Sequence, residues 1–141
     1  MRRVDAVYGG EMSAHHYFRD FFYCDSGMIP WLVFAEILST SNERLSSMLD
    51  QYRVDFPVSG EINREVKDTV ATIENIRSIY NDSALTVDYM DGVSMEFADW
   101  RFNVRASNTE PLLRLNVESR GDRALMSSKT TELLSIIEKY G

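Results

Sequence analysis

Apolar and polar positions alternate most regularly in the second half of the chain. Leu85, Val87 and Tyr89 occupy every other position, Asp91-Gly92 intervenes, and Val93, Met95 and Phe97 resume the pattern. A period of two places one face of a strand in a core, and Asp-Gly suits the positive backbone angles of a tight primed turn, so a hairpin is predicted. Trp100, Phe102 and Val104 continue the period, as do Leu113, Leu115 and Val117 beyond a polar loop. Steps of three and four mark helices instead. Trp31, Phe34, Ile37, Leu38, Leu45, Met48 and Leu49 set one out between Pro30 and Asp50, with Ser39-Thr40-Ser41 as a place for interruption. Val66, Val70, Ile73 and Tyr80 set out a second, which Asn81-Asp82-Ser83 closes. Leu125, Lys129, Leu133 and Ile137, widened by Ile136, set out a third behind a cap at Asp122.

Elsewhere the pattern is shorter. Val4 to Tyr8 reads as a strand broken by Gly9-Gly10; Tyr52 to Phe56 alternates, and Pro57 with Ser59-Gly60 punctuates the chain before Glu61 to Val66. A domain boundary is predicted there. Residues 52–141 then read strand, helix, several antiparallel strands, helix. That is an α+β domain of about four mainly antiparallel strands with two helices packed on one face. Residues 1–51 offer a strand, a loop and a helix, the remnant of an α/β domain and too little for an independent core.

Composition agrees with a folded chain: of 141 residues, 44% are hydrophobic and 26% charged. The formal net charge of −7 and a pI near 4.8 argue against a nucleic-acid partner, which calls for a concentrated basic face. Cys24 is the single cysteine, so the chain forms no internal disulfide and a reducing compartment is expected. The apolar run from Met28 to Leu38 is interrupted by Pro30 and Glu36 and falls short of the roughly 20 residues of a membrane span. Met1-Arg2-Arg3 leads to Asp5 rather than to the apolar core of a signal peptide.

Two polar loops carry candidate chemistry. In Arg105 to Pro111, Arg105 offers a planar fork of donors, and Ser107, Asn108 and Thr109 add small hydroxyl, amide and backbone donors suited to a phosphate. The same composition also suits a polar hairpin loop that satisfies its own backbone. In Gly9 to His16, four readings stand side by side. Ser13 and His15 have the types of a nucleophile and its base, without a third orienting group. Glu11, His15 and His16 have metal-ligand types, although adjacent histidines on a strand point apart. Glu11 and Ser13 suit a polyhydroxyl ligand, with a histidine titrating near neutral pH. The last reading is a solvated strand-to-helix turn.

Together, Gly10-Glu11-Met12-Ser13-Ala14-His15 and, about ninety residues on, Arg105-Ala106-Ser107-Asn108-Thr109-Glu110-Pro111 resemble the α-D-phosphohexomutase family, and within it the bacterial phosphomannomutases. The likeness runs through essentially the whole chain, including Asp20 to Leu38. The first motif resembles the family's sugar-binding loop in its third domain, the second its phosphate-binding loop in its fourth. Carried over residue by residue, the resemblance makes Glu11 and Ser13 ligands of the sugar hydroxyls and His15 the catalytic residue near the reacting oxygen, as a proton-transfer or positioning group. Arg105, Ser107, Asn108 and Thr109 become the grip on the non-reacting phosphate. The common family loop has glycine where Ala14 stands here, which restricts the loop slightly.

The implied reaction interconverts mannose 6-phosphate and mannose 1-phosphate, often with glucose phosphates also accepted, through a phosphoserine and with magnesium. The resemblance finds neither the phosphoserine loop nor the Asp-rich magnesium loop in this chain. It therefore implies the end of domain three (residues 1–51) and all of domain four (residues 52–141), binding phosphosugar but inactive alone, with Mg2+ held elsewhere in the full-length enzyme. A non-catalytic phosphosugar-binding or interaction protein derived from a truncated paralogue is the alternative. A cytoplasmic location, a role in nucleotide-sugar supply and self-association through the apolar face of residues 28–50 complete the expectations.

Overall fold

The computed structural model describes residues 1–11 and 13–141; Met12, inside the first motif, lies outside the described residues. The chain divides into two compact units, Met1–Met48 and Leu49–Gly141.

In the first unit, strands β1 (Tyr8–Gly10), β2 (His16–Phe18) and β3 (Cys24–Asp25) form an antiparallel sheet in that order, followed by helix α1 (Met28–Thr40). The strand expected over Val4–Tyr8 starts later, because Arg2–Val4 forms a 3-10 turn. Gly9 and Gly10 do not break the strand; they pair with Tyr17 and His16. Backbone pairing needs no side chain, and a glycine within a strand admits close neighbours. Three short strands thus stand where one was expected.

Helix α1 ends within the predicted serine and threonine cluster. Ser39 and Thr40 turn their hydroxyls back onto the carbonyl oxygens of Ala35 (2.6 Å) and Glu36 (2.8 Å), offering the backbone partners that compete with a further turn. No residue of α1 is buried; Trp31 is 62% and Phe34 45% exposed. Helix α2 (Leu45–Asp55) follows. It overturns the extended reading of Tyr52 to Phe56, since Leu45, Leu49, Tyr52 and Phe56 step by four, three and four and a five-residue alternation is too short to outweigh that spacing.

The second unit holds β4 (Ile62–Glu65), α3 (Thr69–Tyr80), β5 (Thr86–Asp88), β6 (Val93–Glu96), β7 (Trp100–Ala106), β8 (Leu112–Ser119) and α4 (Arg123–Tyr140). Its sheet is antiparallel throughout, ordered β4-β8-β7-β6-β5, so five strands replace the expected four. The turn at Asp91-Gly92 is wider than a primed turn: Asp88 pairs with Ser94, and the Asp88 carboxylate accepts the Met90 N–H at 2.7 Å, closing an Asx turn early.

Alternation along β7 and β8 buries Trp100, Phe102, Val104, Leu113, Leu115 and Val117 on one face. Helices α3 and α4 cover that face with Ile76, Tyr80, Met126, Leu133 and Ile137. Asp68 and Asp122 cap the two helices, each accepting a first-turn N–H at 2.9 Å, from Ala71 and Leu125. Phe97 stacks on Trp100 with ring centroids 4.2 Å apart, and Tyr80 meets both edge-on. The opposite face carries Arg101, Asn103, Arg105, Arg114 and Asn116, leaving it polar. Among the described residues no helix is long and apolar enough to cross a membrane.

Candidate functional site

The two polar loops lie in different units. In the first, the backbone between β1 and β2 closes on itself: the Glu11 N–H donates to the His15 carbonyl (2.9 Å), and the Ala14 N–H to the Glu11 carbonyl (3.1 Å). Ala14 is driven to φ 63, the left-handed region where an alanine Cβ is crowded. The turn brings Glu11, Ser13 and His15 together at the surface. Ser13 Oγ donates to Glu11 Oε2 at 3.3 Å, and the Tyr17 hydroxyl donates to Glu11 Oε1 at 2.6 Å. These bonds, Tyr17's foremost, hold the Glu11 carboxyl below its ordinary range and push the Tyr17 phenol up.

His15 and His16 part company, as adjacent residues entering a strand must. His16 Nδ1 shares a 2.6 Å hydrogen bond with the Tyr8 hydroxyl, while His15 Nδ1 lies 2.8 Å from Asp25 Oδ2. The Asp25 hydrogen bond raises the His15 pKa above its ordinary value, and His15 lowers that of Asp25. Tyr17 and Asp25 lie outside the motif, and sequence spacing alone does not mark them. Their signal is cross-strand register, which a strand as short as β3 does not reveal beforehand.

In the second unit, Arg105 sits near the end of β7, and Ser107, Asn108 and Thr109 follow in the loop to β8. The Ser107 N–H donates to the Leu112 carbonyl at 2.9 Å, which closes the loop's base. Above it, among the described residues, only long contacts of 3.4 Å link Ser107 Oγ to the Thr109 hydroxyl and N–H. Arg105 pairs directly across the ladder with Arg114. Both lean on Glu61: Arg105 at 3.4 Å and Arg114 at 3.5 Å, with Asp91 a further 3.6 Å partner of Arg105. Arg114 Nε is buried without a partner among the described residues. Glu61 and Arg114 are additions that the motif alone did not reveal; Arg114 falls two residues past the loop's proline-leucine exit, on the same strand face as Arg105.

A separate cavity of about 330 Å³ is lined by Phe56, Trp100 and the ion-paired Arg101, Glu118, Arg120 and Glu96. None of the sequence-predicted residues borders it. Among the described residues, no group of three or more His, Cys, Asp or Glu side chains could hold a metal ion. The donor sets of the described residues therefore do not fit the magnesium that the resemblance implies.

Comparison with known proteins decides the family. The phosphoglucomutase/phosphomannomutase model for alpha/beta/alpha domain III matches residues 1–54, and that for the C-terminal domain matches residues 61–133. The chain belongs to the phosphoglucomutase/phosphomannomutase family. It is 56% identical to a phosphomannomutase of Escherichia coli, over 98% of this chain and 30% of that protein. With a phosphomannomutase of Vibrio cholerae serotype O1 it shares 54% over 99% of this chain and 30% of that protein. A phosphoglucomutase/phosphomannomutase family protein of Burkholderia thailandensis, 25% identical, superposes with a TM-score of 0.72 over 99% of this chain and 29% of that one. The chain thus spans about 30% of the length of the curated relatives it matches.

Proposed function

We propose that this chain is the phosphosugar-recognising C-terminal part of a phosphomannomutase, an enzyme interconverting mannose 6-phosphate and mannose 1-phosphate. The observation that carries the reading is the identity of 54–56% to phosphomannomutases, which spans both polar loops. Glu11 and Ser13 accept and donate hydrogen bonds to the sugar hydroxyls. His15 exchanges a proton at the reacting oxygen, and Arg105, Ser107, Asn108 and Thr109 hold the phosphate that does not react. The chemistry supports these assignments: a carboxylate and a hydroxyl suit either orientation of a polyol, and arginine with small donors suits tetrahedral oxygens. Two grips hold a reacting oxygen in line, which is the main requirement of phosphoryl transfer.

Division of the chain into residues 1–51 for sugar and 52–141 for phosphate goes with this reading, as do a cytoplasmic setting and a place in nucleotide-sugar supply. The phosphoryl group and Mg2+ belong to other parts of the full-length enzyme, so the 141-residue chain alone does not turn over. Residues 28–50 associate with a second copy as concentration rises, supported by the exposure of Trp31 and Phe34. Sedimentation velocity across a hundredfold concentration series checks this, and an unchanged monomer coefficient overturns it.

The deciding experiment is an amide NMR titration with mannose 6-phosphate, using mannose and inorganic phosphate as controls. Shifts at Arg105 to Thr109 with both phosphate-bearing ligands, lost in Arg105→Ala, are expected. Absence of any shift at millimolar ligand overturns phosphate recognition by this loop.

A further inference from the structure

We propose that the cross-strand pair Tyr17–Asp25 is the positioning element of the sugar loop: Asp25 orients His15 so that Nε2 faces a ligand, and Tyr17 orients Glu11. The proposal rests on the sugar-binding reading of that loop and assigns roles to two residues outside the motif. Tyr17 and Asp25 are register partners on β2 and β3, so their side chains leave the same face of the sheet. From that face each reaches one loop group, Tyr17 to Glu11 at 2.6 Å and Asp25 to His15 at 2.8 Å.

The Asp25 carboxylate is held at two points. Its Oδ1 accepts the backbone N–H of His16 at 2.9 Å, which fixes the carboxylate plane to the strand, and its Oδ2 meets His15 Nδ1. An ionised carboxylate only accepts, so the proton between them sits on Nδ1. In neutral His15 that leaves the Nε2 lone pair outward, where it can take a proton from a hydroxyl and later return it. His16 cannot substitute, because its ring is engaged by Tyr8. The charged groups acting on His15 are Asp25 and Glu11; His16, the next residue, donates its backbone N–H to Asp25. The arrangement resembles the logic by which a carboxylate sets tautomer and ring direction for a catalytic histidine.

Long-range 15N–1H correlation spectra of the ligand-free 141-residue chain test this directly. Above its titration midpoint, His15 is expected as the Nδ1–H tautomer. In Asp25→Asn, whose amide oxygen can still accept the His16 N–H, the tautomers mix and the midpoint moves down, while Tyr17→Phe leaves the His15 tautomer as in wild type. An Nε2–H tautomer in wild type, or the same tautomer ratio in Asp25→Asn, overturns the proposal. Should Asp25→Asn fail to fold, the wild-type tautomer decides alone. A failed phosphosugar titration would instead count against the functional reading and leave this result standing.

Discussion

Replacing Gly92 with alanine tests whether the turn before β6 is tied to the strand that carries Arg105. Gly92 has φ +72, a conformation that costs an L-residue about 1–2 kcal/mol. The loss of unfolded-state freedom on going from glycine to alanine returns about 0.4–1 kcal/mol. Space decides the balance. A Cβ at this position would lie 2.4 Å from the Val104 carbonyl oxygen, 2.5 Å from Arg105 Cβ and 2.8 Å from Arg105 Cα. These neighbours are held by the β7 backbone and cannot swing away, so the β6–β7 ladder must part, at the roughly 1–3 kcal/mol typical of overpacking. The net cost is about 1–5 kcal/mol. Gly60 supplies the control: its φ is +71, yet a Cβ there meets nothing within 4 Å. Gly60→Ala therefore carries the backbone cost alone, about 1 kcal/mol or less. Urea unfolding followed by Trp100 fluorescence in a Trp31→Phe background compares the two at equal slope. If Gly92→Ala is no more destabilising than Gly60→Ala, the close approach to Arg105 carries no energy and the reasoning fails.

Three further outcomes are expected. Ala14→Gly relieves the φ of 63 but gives back unfolded-state entropy, so thermal unfolding of the first unit should rise by the equivalent of about 0.5–1 kcal/mol; a fall would show that Ala14 makes favourable contacts. Asp122→Ala removes the acceptor for the Leu125 N–H and should cost about 1 kcal/mol, read from the same urea transition, with Asp122→Asn recovering most of it. For pH, the folded His15 pKa is raised above its ordinary value, so its contribution is fully present below about pH 6.5 and fades as pH rises through the folded midpoint. Asp25 and Glu11 are lowered, so theirs is present above about pH 4 and is lost as pH falls. Protection factors of the β2 amides should therefore peak between those limits, and a maximum above pH 8 would contradict the sign.

The C-terminal strands and helices were legible because each writes one strong period on a buried face: Phe102 and Val104, or Leu133 and Ile137, have no alternative placement that keeps them dry. Asp122 was legible as a cap for the same local reason. Strand β4 was less so, since at a sheet edge only Ile62 packs against the apolar core, Arg64 shares its face, and Asn63 and Glu65 are solvated. The last turn of helix α2, Tyr52 to Asp55, imitates alternation, which is why its sequence pattern points to a strand. In the site, the motif residues stood out as clusters within a few positions of one another. Their partners did not: Asp25 is ten residues from His15, Glu61 is 44 from Arg105, and register across a ladder brings both pairs together.

The C-terminal sheet has a bearing on how the protein leaves solution. Its outermost strands are β4, of four residues, and β5, of three. Charged Arg64, Glu65 and Asp88 sit on them, and brevity with charge denies an incoming strand a template to extend. Fibre growth by edge addition is therefore closed off in this sheet, whereas the greasy side chains of α1 offer contacts with no directional hydrogen bonding. Concentrates of this protein should turn cloudy with amorphous, thioflavin-negative particles that clear on dilution.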